Sequence, residues 1–270
     1  MNGIERIHAA VEQGKSTHGI GLLSHAVVGY PSVPVNVETI AAFAEAGVNM
    51  MELQFPFSDP VADGPVLTHA NQAALAGGTT VNDVFDLAAR VTQRHPGVAF
   101  IAMTYMNIVF RRGIERFISN VRAAGISGII VPDLPLEDAG EFRKICEREQ
   151  VGTVFLVTPT TTEQRAQAIC TASSGFVYCV GRAGVSGAET VFSTRILAFF
   201  SRVRGQSDVP VGVGFGIRTR DDVAGLEGIA DIAIVCTEAI KRVEQEGVSA
   251  TADYLSSLRT PSRRQFSESP

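Results

Sequence analysis

Short apolar runs alternate with longer amphipathic segments along this chain. The short runs are rich in β-branched residues, which is typical of strands buried on both faces. They predict strands over Gly21–Val28, Asn49–Gln54, Ala99–Thr104, Gly128–Val131, Gly152–Val157, Gly175–Val180, Val209–Val213 and Asp231–Val235. The longer segments have apolar residues at helical spacing. They predict helices over Val37–Ala46, Val81–Arg94, Gly113–Ala124, Glu137–Glu149, Thr162–Thr171, Thr190–Val203 and Arg218–Leu226.

Apolar strands that alternate with helical patterns indicate βαβ units, and such units form a parallel sheet. Eight units, with no GxGxxG fingerprint after the first strand, favour a closed barrel; a doubly wound open sheet is the alternative. The predicted fold class is therefore α/β, a single (β/α)8 TIM barrel with an N-terminal helix and extra short helices. We expect residues 1–259 to form this catalytic domain and the polar residues 260–270 to form a disordered tail.

The composition argues against several kinds of partner. The formal net charge is -5 and no long basic block occurs, so neither nucleic acid nor an anionic membrane is an expected partner. No apolar run is long enough to span a bilayer, and the first residues lack the apolar core of a signal peptide, so we expect a cytoplasmic location. The four cysteines have no CxxC spacing and are expected to be reduced core residues.

The strongest candidate chemistry lies in the segment Met51–Pro65, whose sequence is MELQFPFSDPVADGP. It places Glu52 within an apolar strand, and it places Asp59 and Asp63 in the loop that follows. An acid on a buried strand near loop acids allows one carboxyl to stay protonated while another is ionised. The alternative is structural: Glu52 ends a strand and one of the loop acids caps the next helix.

This segment closely resembles the signature of the tryptophan synthase alpha chain family, and the resemblance extends from about Leu22 to about Ala250. Further matching motifs occur in the family's order at Gly29-Tyr30-Pro31, Tyr105-Met106-Asn107, Val131-Pro132-Asp133-Leu134-Pro135, Gly181-Arg182-Ala183-Gly184-Val185-Ser186-Gly187 and Gly214-Phe215-Gly216-Ile217. The resemblance implies a barrel lyase without a cofactor or metal of its own. Such an enzyme cleaves indole-3-glycerol phosphate to indole and glyceraldehyde 3-phosphate, usually beside a pyridoxal-phosphate beta subunit.

Breaking the bond between an indole ring and a glycerol side chain requires three proton movements. An acid protonates the ring carbon that bears the side chain, a carboxylate accepts the hydrogen bond of the ring N–H, and a base takes the hydroxyl proton. The resemblance assigns the first and last roles to Glu52 and the second to Asp63, with Tyr178 as a further catalytic residue. Burial of Glu52 among Met51, Leu53 and Phe55 would favour its protonated form.

The resemblance also implies residues that hold the rest of the substrate. Those expected to contact the substrate are Tyr105, Phe215, Arg182 and Ser186, the last two on a loop from Gly181 to Glu189 that is expected to close as a lid. Phosphate sites in such barrels are formed by the loops after strands seven and eight and by a short extra helix. The expected phosphate-binding residues are Gly187, Gly216, Ile217, Thr237 and Glu238. The alternative is that the glycines after strand seven only permit a tight turn.

Two other aldolase mechanisms lack the residues they need. A Schiff-base enzyme requires a lysine at a strand end, whereas Lys15, Lys144 and Lys241 lie in or beside helical segments. A zinc aldolase requires clustered histidines. The five histidines, which are His8, His18, His25, His69 and His95, show no such spacing, so no metal site is expected.

Four positions depart from the family pattern. Gln54 stands where a glycine is expected, Thr68 replaces a glutamine, and His25 occupies an apolar or aromatic position. A buried Gln54 must find polar partners near Glu52, and His25 is either a satisfied core histidine or a functional one. Glu238 stands where a serine is expected; its carboxylate either opposes the phosphate or points outward and complements a helix N-terminus.

The leading hypothesis is thus a lyase of the tryptophan synthase alpha type that acts on indole-3-glycerol phosphate. One alternative is a diverged paralogue that cleaves a related indole or aryl substrate. Another is a non-catalytic subunit that activates a beta-type partner, although retention of Glu52, Asp63 and Tyr178 argues against it. A beta-type subunit in an α2β2 assembly is the expected protein partner, because the family's contact segments at Pro56–Pro60 and around Asn107 are retained.

Overall fold

The computed structural model describes residues 1–181, 193–214 and 216–259. Its eight parallel strands close into a barrel in the order in which they occur along the chain. The strands are β1 (Gly21–Val27), β2 (Met50–Gln54), β3 (Ala99–Met103), β4 (Gly128–Ile130), β5 (Gly152–Val157), β6 (Phe176–Val180), β7 (Val211–Gly214) and β8 (Ile232–Val235). The predicted barrel is confirmed, and the open-sheet alternative is wrong.

One helix precedes the first strand, and helices that follow every strand cover the outside of the barrel. They are α1 (Gly3–His18), α2 (Val33–Glu45), α3 (Pro65–Ala76), α4 (Val81–Arg94), α5 (Met106–Arg112), α6 (Ile114–Ala123), α7 (Gly140–Arg148), α8 (Glu163–Ala172), α9 (Thr194–Gln206), α10 (Arg220–Ala224), α11 (Thr237–Glu246) and α12 (Val248–Ser257). Among the described residues, no helix combines the length and the apolar character needed to cross a membrane.

Strand alternation separates two apolar clusters, one inside the barrel and one between the barrel and its helices. Leu23, Met50 and Phe176 belong to the inner cluster. Their strand neighbours, such as Leu22 and Met51, belong to the outer cluster. Side chains along a strand alternate between its two faces, so Glu52 and Gln54 point into the barrel with Met50.

Helix α1 closes the N-terminal end of the barrel with the buried side chain of Ile7. Three glycines, at the starts of β4 and β5 and just before β6, leave room for this side chain. A Cβ atom on Gly128, Gly152 or Gly175 would lie 2.9, 2.8 or 3.2 Å from the Cδ1 atom of Ile7, respectively. The barrel therefore offers its opposite, C-terminal end for a reacting site, as is usual for this fold.

The structure corrects several predicted boundaries. Helix α5 was not predicted, because its seven residues are too short to show a helical period; Gly113, at a φ of +88°, separates it from α6. The predicted helix Glu137–Glu149 divides into a 3-10 turn, Leu136–Asp138, and α7. The segment 260–270 lies outside the described residues.

Candidate active site

Glu52 lies on the inward face of β2 and is 3% exposed. Its Oε2 atom is 2.7 Å from the Nδ1 atom of His25, which lies directly opposite it on β1. The expected apolar surroundings are therefore wrong. Met51, Leu53 and Phe55 belong to the outer cluster, because alternation turns them away from the carboxyl.

A continuous chain of hydrogen bonds joins Glu52 to Asp63. The second ring nitrogen of His25, Nε2, lies 2.8 Å from Oε1 of Gln54. The amide nitrogen of Gln54 donates to Oδ2 of Asp63 at 2.6 Å. Gln54 is fully buried and His25 is 3% exposed. The two carboxylates expected to share the chemistry are thus connected through two of the positions that depart from the family pattern.

Asn71 on α3 anchors the Asp63 end of this chain. Its Oδ1 accepts a hydrogen bond from the backbone N–H of Phe57 at 2.9 Å, and its amide nitrogen donates to Asp63 at 3.2 Å. Asn71 was not among the predicted site residues. The sequence feature that could have identified it is its spacing: Asn71 lies on the same helix face as Ala70 and Ala74, and that face is buried in the structure.

Tyr105 holds the loop that carries Asp63. Its hydroxyl accepts a hydrogen bond from the backbone N–H of Ala62 at 3.2 Å and lies near Asp63, where it favours the carboxylate form and so by itself lowers the pKa of Asp63. Its ring stacks on Phe57 with the ring centroids 5.0 Å apart. Burial, together with the charge of Asp63, raises the pKa of the Tyr105 hydroxyl, so that it stays a neutral donor. Burial also raises the pKa of Asp63 above 3.8, against the opposing hydrogen bond from Gln54.

Tyr178 on β6 is close enough to Glu52 for the two groups to interact electrostatically. Burial raises the pKa of its hydroxyl well above 10.0, and the nearby Cys236 and Glu52 raise it further. A Cβ atom on Gly214 would collide with the Tyr178 ring, so this position requires glycine. The Sγ atom of Cys236 is 3.8 Å from Oε2 of Glu52. Cys236 is therefore a partly exposed site residue and not the core residue that was expected, whereas Cys146, Cys170 and Cys179 are buried as free thiols.

The loops after β7 and β8 bring together the described part of the expected phosphate site. Gly216 has a φ of +57°, which favours glycine. Thr237 begins α11, and the preceding Cys236 makes no side-chain cap, so the first amides of this ten-residue helix lack that partner. The side chain of Ile217 is buried in the outer cluster, which leaves only its backbone for a ligand.

Glu238 is directed along its own helix towards Arg242. Its Oε1 atom is 2.9 Å from the Nε atom of Arg242, and that guanidinium lies 4.1 Å from the ring centroid of Tyr254. Among the described residues, the carboxylate is thus held by a cation one turn further along α11. The other expected site residues, which are Arg182, Ser186, Gly187 and Phe215, lie outside the described residues.

One group of possible metal ligands occurs among the described residues. The ligand atoms of His25, Glu52 and Cys236 lie within 4.8 Å of one another. Two ligands on one tetrahedral zinc ion, each about 2.0–2.2 Å from it, lie roughly 3.4 Å apart. The 2.7 Å contact between His25 and Glu52 is shorter than that, so it has the geometry of a hydrogen bond that shares a proton.

The fold and this geometry define a class of protein: a barrel enzyme with two hydrogen-bonded carboxyl groups at the C-terminal end of its barrel. The family model for "Tryptophan synthase alpha chain" matches residues 11–264. The chain therefore belongs to the tryptophan synthase alpha chain family. Members of this family are carbon–carbon lyases that cleave indole-3-glycerol phosphate.

Individual relatives agree with this assignment. The tryptophan synthase alpha chain of Syntrophotalea carbinolica is 41% identical over 238 residues, which cover 88% of this chain and 94% of the relative. A tryptophan synthase structure from Mycobacterium tuberculosis matches with a TM-score of 0.86 and 32% identity, covering 94% of this chain and 98% of the other. A chain of the tryptophan synthase α2β2 complex from Pyrococcus furiosus matches with a TM-score of 0.82 and 30% identity, covering 90% and 97%.

The pairing of His25 with Glu52 predicts a pH-dependent loss of stability on mutation. Burial by itself would lower the pKa of His25, but the hydrogen bond and charge of Glu52, with the charge of Asp63, raise it above 6.5. The stabilisation from protonated His25 is therefore fully present below the unfolded pKa and is lost as the pH rises through the folded pKa. Glu52→Gln should destabilise the protein more at about pH 6 than at about pH 9.

Urea unfolding at the two pH values measures this difference. Glu12→Gln is the control, because Glu12 is exposed and pairs with Lys15. Its effect should be the same at both pH values. An equal loss for Glu52→Gln at both would contradict the pairing.

Proposed function

We propose that Glu52, Asp63 and Tyr178 carry out the cleavage of indole-3-glycerol phosphate to indole and glyceraldehyde 3-phosphate in this chain. The observation that supports the proposal is the buried hydrogen-bonded chain between Glu52 and Asp63 at the C-terminal end of β2. Two carboxylates in different surroundings suit one group for proton transfer and the other for charge stabilisation.

In the proposed reaction, Glu52 gives a proton to the ring carbon that bears the side chain. The carbon–carbon bond then breaks with its electron pair returning to the ring, while Glu52 takes the hydroxyl proton and the aldehyde forms. The Oε1 atom of Glu52 is buried and has no protein hydrogen-bond partner among the described residues, so it is the oxygen available for the substrate.

Asp63 is proposed to accept the hydrogen bond of the indole N–H as positive charge develops on the ring. Its Oδ2 atom accepts from the amides of both Gln54 and Asn71, which fixes the carboxylate before the substrate binds. A preorganised acceptor of this kind needs no reorientation during the reaction. Tyr178, held neutral beside Glu52, is proposed to position the side chain at the reacting carbon.

The acid–base assignment predicts large losses of rate. Glu52→Gln and Asp63→Asn should each lower kcat by about 10²–10⁴, since each removes one acid–base or charge-stabilising contribution. Steady-state release of indole by the purified chain is the measurement. Asp59→Asn is the matched control in the same loop, because Asp59 is exposed and bonds only Ser58 among the described side chains.

Near-native rates for Glu52→Gln or Asp63→Asn would remove the role of that residue. Absence of any indole release by the native chain alone, with activation of a beta-type partner, would support the non-catalytic alternative. Faster cleavage of a related aryl substrate would support the diverged alternative.

The phosphate is proposed to bind the free amides at the start of α11 and the backbone at Gly216. A helix N-terminus binds anions through its unpaired N–H groups and its dipole. Glu238 does not oppose this arrangement, because its carboxylate is paired with Arg242. The contribution of Glu238 at this helix end is then the favourable one expected of an acid in a first turn.

Substitution of Glu238 tests this arrangement. Glu238→Ser should change KM for indole-3-glycerol phosphate by less than about threefold, whereas a carboxylate aimed at the phosphate would give at least a tenfold improvement. Thr237→Asp is the sensitivity control and should raise KM at least about tenfold, since it places a charge beside the free amides. A tenfold lower KM for Glu238→Ser would show that Glu238 faces the phosphate.

A beta-type subunit is the proposed protein partner, as the α2β2 complex from Pyrococcus furiosus suggests. Two large apolar side chains support a contact surface here: Val61 is 81% exposed and Phe110 is 73% exposed. Their segments adjoin, because Tyr105 bonds the backbone of Ala62 and precedes α5 directly.

A cytoplasmic location completes the proposal, since a phosphorylated substrate does not cross membranes unaided.

The partner proposal predicts a 1:1 complex with the beta chain of the same organism. Val61→Asp and Phe110→Asp should each weaken that complex at least about tenfold, because each buries a charge in an apolar contact. Analytical ultracentrifugation at micromolar concentrations is the measurement. Leu75→Asp is the control on α3, where Leu75 is 37% exposed. A complex unaffected by both test substitutions would place the interface elsewhere.

A further inference from the structure

We propose that His25 and Gln54 are positioning residues. His25 shares a transferable proton with Glu52, and Gln54 links this pair to the carboxylate of Asp63 through hydrogen bonds. This inference rests on the proposed function of Glu52 and Asp63. Neither His25 nor Gln54 touches the reacting atoms in the proposed reaction, so both act through the two carboxylates. The chain therefore carries a hydrogen-bonded relay, Glu52–His25–Gln54–Asp63, in which the proton moves only between His25 and Glu52 and Gln54 fixes the histidine.

The direction of every hydrogen bond in the relay follows from its backbone anchor. The backbone N–H of Phe57 must donate, so the atom of Asn71 that faces it is the carbonyl Oδ1. The amide nitrogen of Asn71 donates to Asp63 and to the backbone carbonyl of Leu67 at 2.8 Å. Both ends of the Asn71 side chain are thus fixed by main-chain groups, whose roles as donor and acceptor cannot change.

Asn71 and Asp63 together fix the orientation of Gln54. The amide nitrogen of Gln54 is 2.6 Å from Oδ2 of Asp63 and 3.5 Å from Oδ1 of Asn71. Both of these atoms are acceptors. A reversed Gln54 would place its carbonyl against two acceptors, leaving buried polar groups unpaired at a cost of about 1–3 kcal/mol each. The carbonyl of Gln54 therefore faces His25.

A carbonyl that faces Nε2 requires a proton on that nitrogen. His25 consequently donates from Nε2 to Gln54, and its Nδ1 atom is left to face Glu52. Two arrangements satisfy this contact: a protonated Glu52 that donates to a neutral His25, or a protonated His25 that donates to the carboxylate of Glu52. Each arrangement holds one proton between Nδ1 and Oε2. Without that proton, the hydrogen bond between His25 and Glu52 would be lost, or the remaining ring proton would move to Nδ1 and the hydrogen bond to Gln54 would break.

This shared proton matches the requirement of the reaction. Glu52 begins as an acid; rotation of its carboxyl turns the proton from Nδ1 of His25 towards the substrate, and the ring carbon takes it. Between the two transfers the pair holds no proton, so Nδ1 of neutral His25 faces the carboxylate without a hydrogen bond and favours the return of a proton to Glu52. Glu52 then takes the proton of the side-chain hydroxyl, so the cycle consumes no proton. A pair of interacting groups also keeps its last proton to a higher pH than a lone carboxyl does.

Other ionisable groups around His25 are consistent with this proton. Glu52 on β2 and Asp63 in the following loop both favour a protonated His25, as does the hydrogen bond to Gln54. Tyr178 on β6 and Cys236 after β8 stay neutral, because burial and the carboxylates raise the pKa of both groups well above their usual values. The acids that face His25 therefore act in the same direction.

The tautomer of His25 can be measured by nitrogen NMR on protein labelled with ¹⁵N-histidine. At about pH 7, Nε2 of His25 should carry a proton, and Nδ1 should either be protonated or accept a hydrogen bond. His25→Phe identifies the signals among the five histidines. Gln54→Leu should release the constraint and raise the population of His25 that is protonated only at Nδ1. A native His25 protonated only at Nδ1 would overturn the proposal.

A pH–rate profile supplies the second measurement. In His25→Phe, the alkaline limb of kcat should move to lower pH, so that the loss of rate is at least about tenfold greater at pH 9 than at pH 6. KM should change little. Thr104→Val is the control, because Thr104 directly follows β3 and its buried hydroxyl has no partner among the described residues. An unshifted profile would overturn the relay.

These measurements separate the two proposals. If Glu52→Gln keeps its activity while the NMR tautomer is as expected, the catalytic assignment of Glu52 fails and the hydrogen-bonded chain stands. If Glu52→Gln is inactive but His25→Phe has the native pH profile, the catalytic assignment stands and the relay fails.

Discussion

The period of two along β2 is the constraint on which the site depends. It turns Met50, Glu52 and Gln54 into the barrel while their neighbours pack against the helices. A carboxyl and an amide inside an apolar barrel need partners, because an unpaired buried polar group costs free energy. His25 on the adjacent strand provides a partner for both, since the register of β1 places it directly opposite Glu52.

Much of the fold could be predicted because strand and helix periods are local properties of the sequence. The strand β5 and the helix α4 have the predicted bounds, whereas α5 is too short for its period to be visible. The requirement that Gln54 find polar partners was also predictable, because it follows from burial alone. Which partners it finds depends on strand register and on the course of a loop, and neither is a local property.

The surroundings of Glu52 show where local inference fails. Sequence neighbours suggested an apolar pocket, but the nearest residues along a strand are those that point away. The polar contact comes from His25, 27 positions earlier in the chain. Asn71 was missed for a similar reason: its position on the helix face of Ala70 and Ala74 indicates burial, but not which buried group its amide contacts.

The packing of α1 against the N-terminal end of the barrel affects the order in which the chain can fold. Ile7 lies near the beginning of the chain, but the glycines that receive it stand at the starts of β4 and β5 and just before β6. These contacts of Ile7 therefore cannot all form, during synthesis, until more than half of the polypeptide has emerged. Contacts of such long sequence separation slow folding, because a large loop must close before they form. The first helix made thus completes its packing late, and the N-terminal end of the barrel is not fully closed until the later strands have formed.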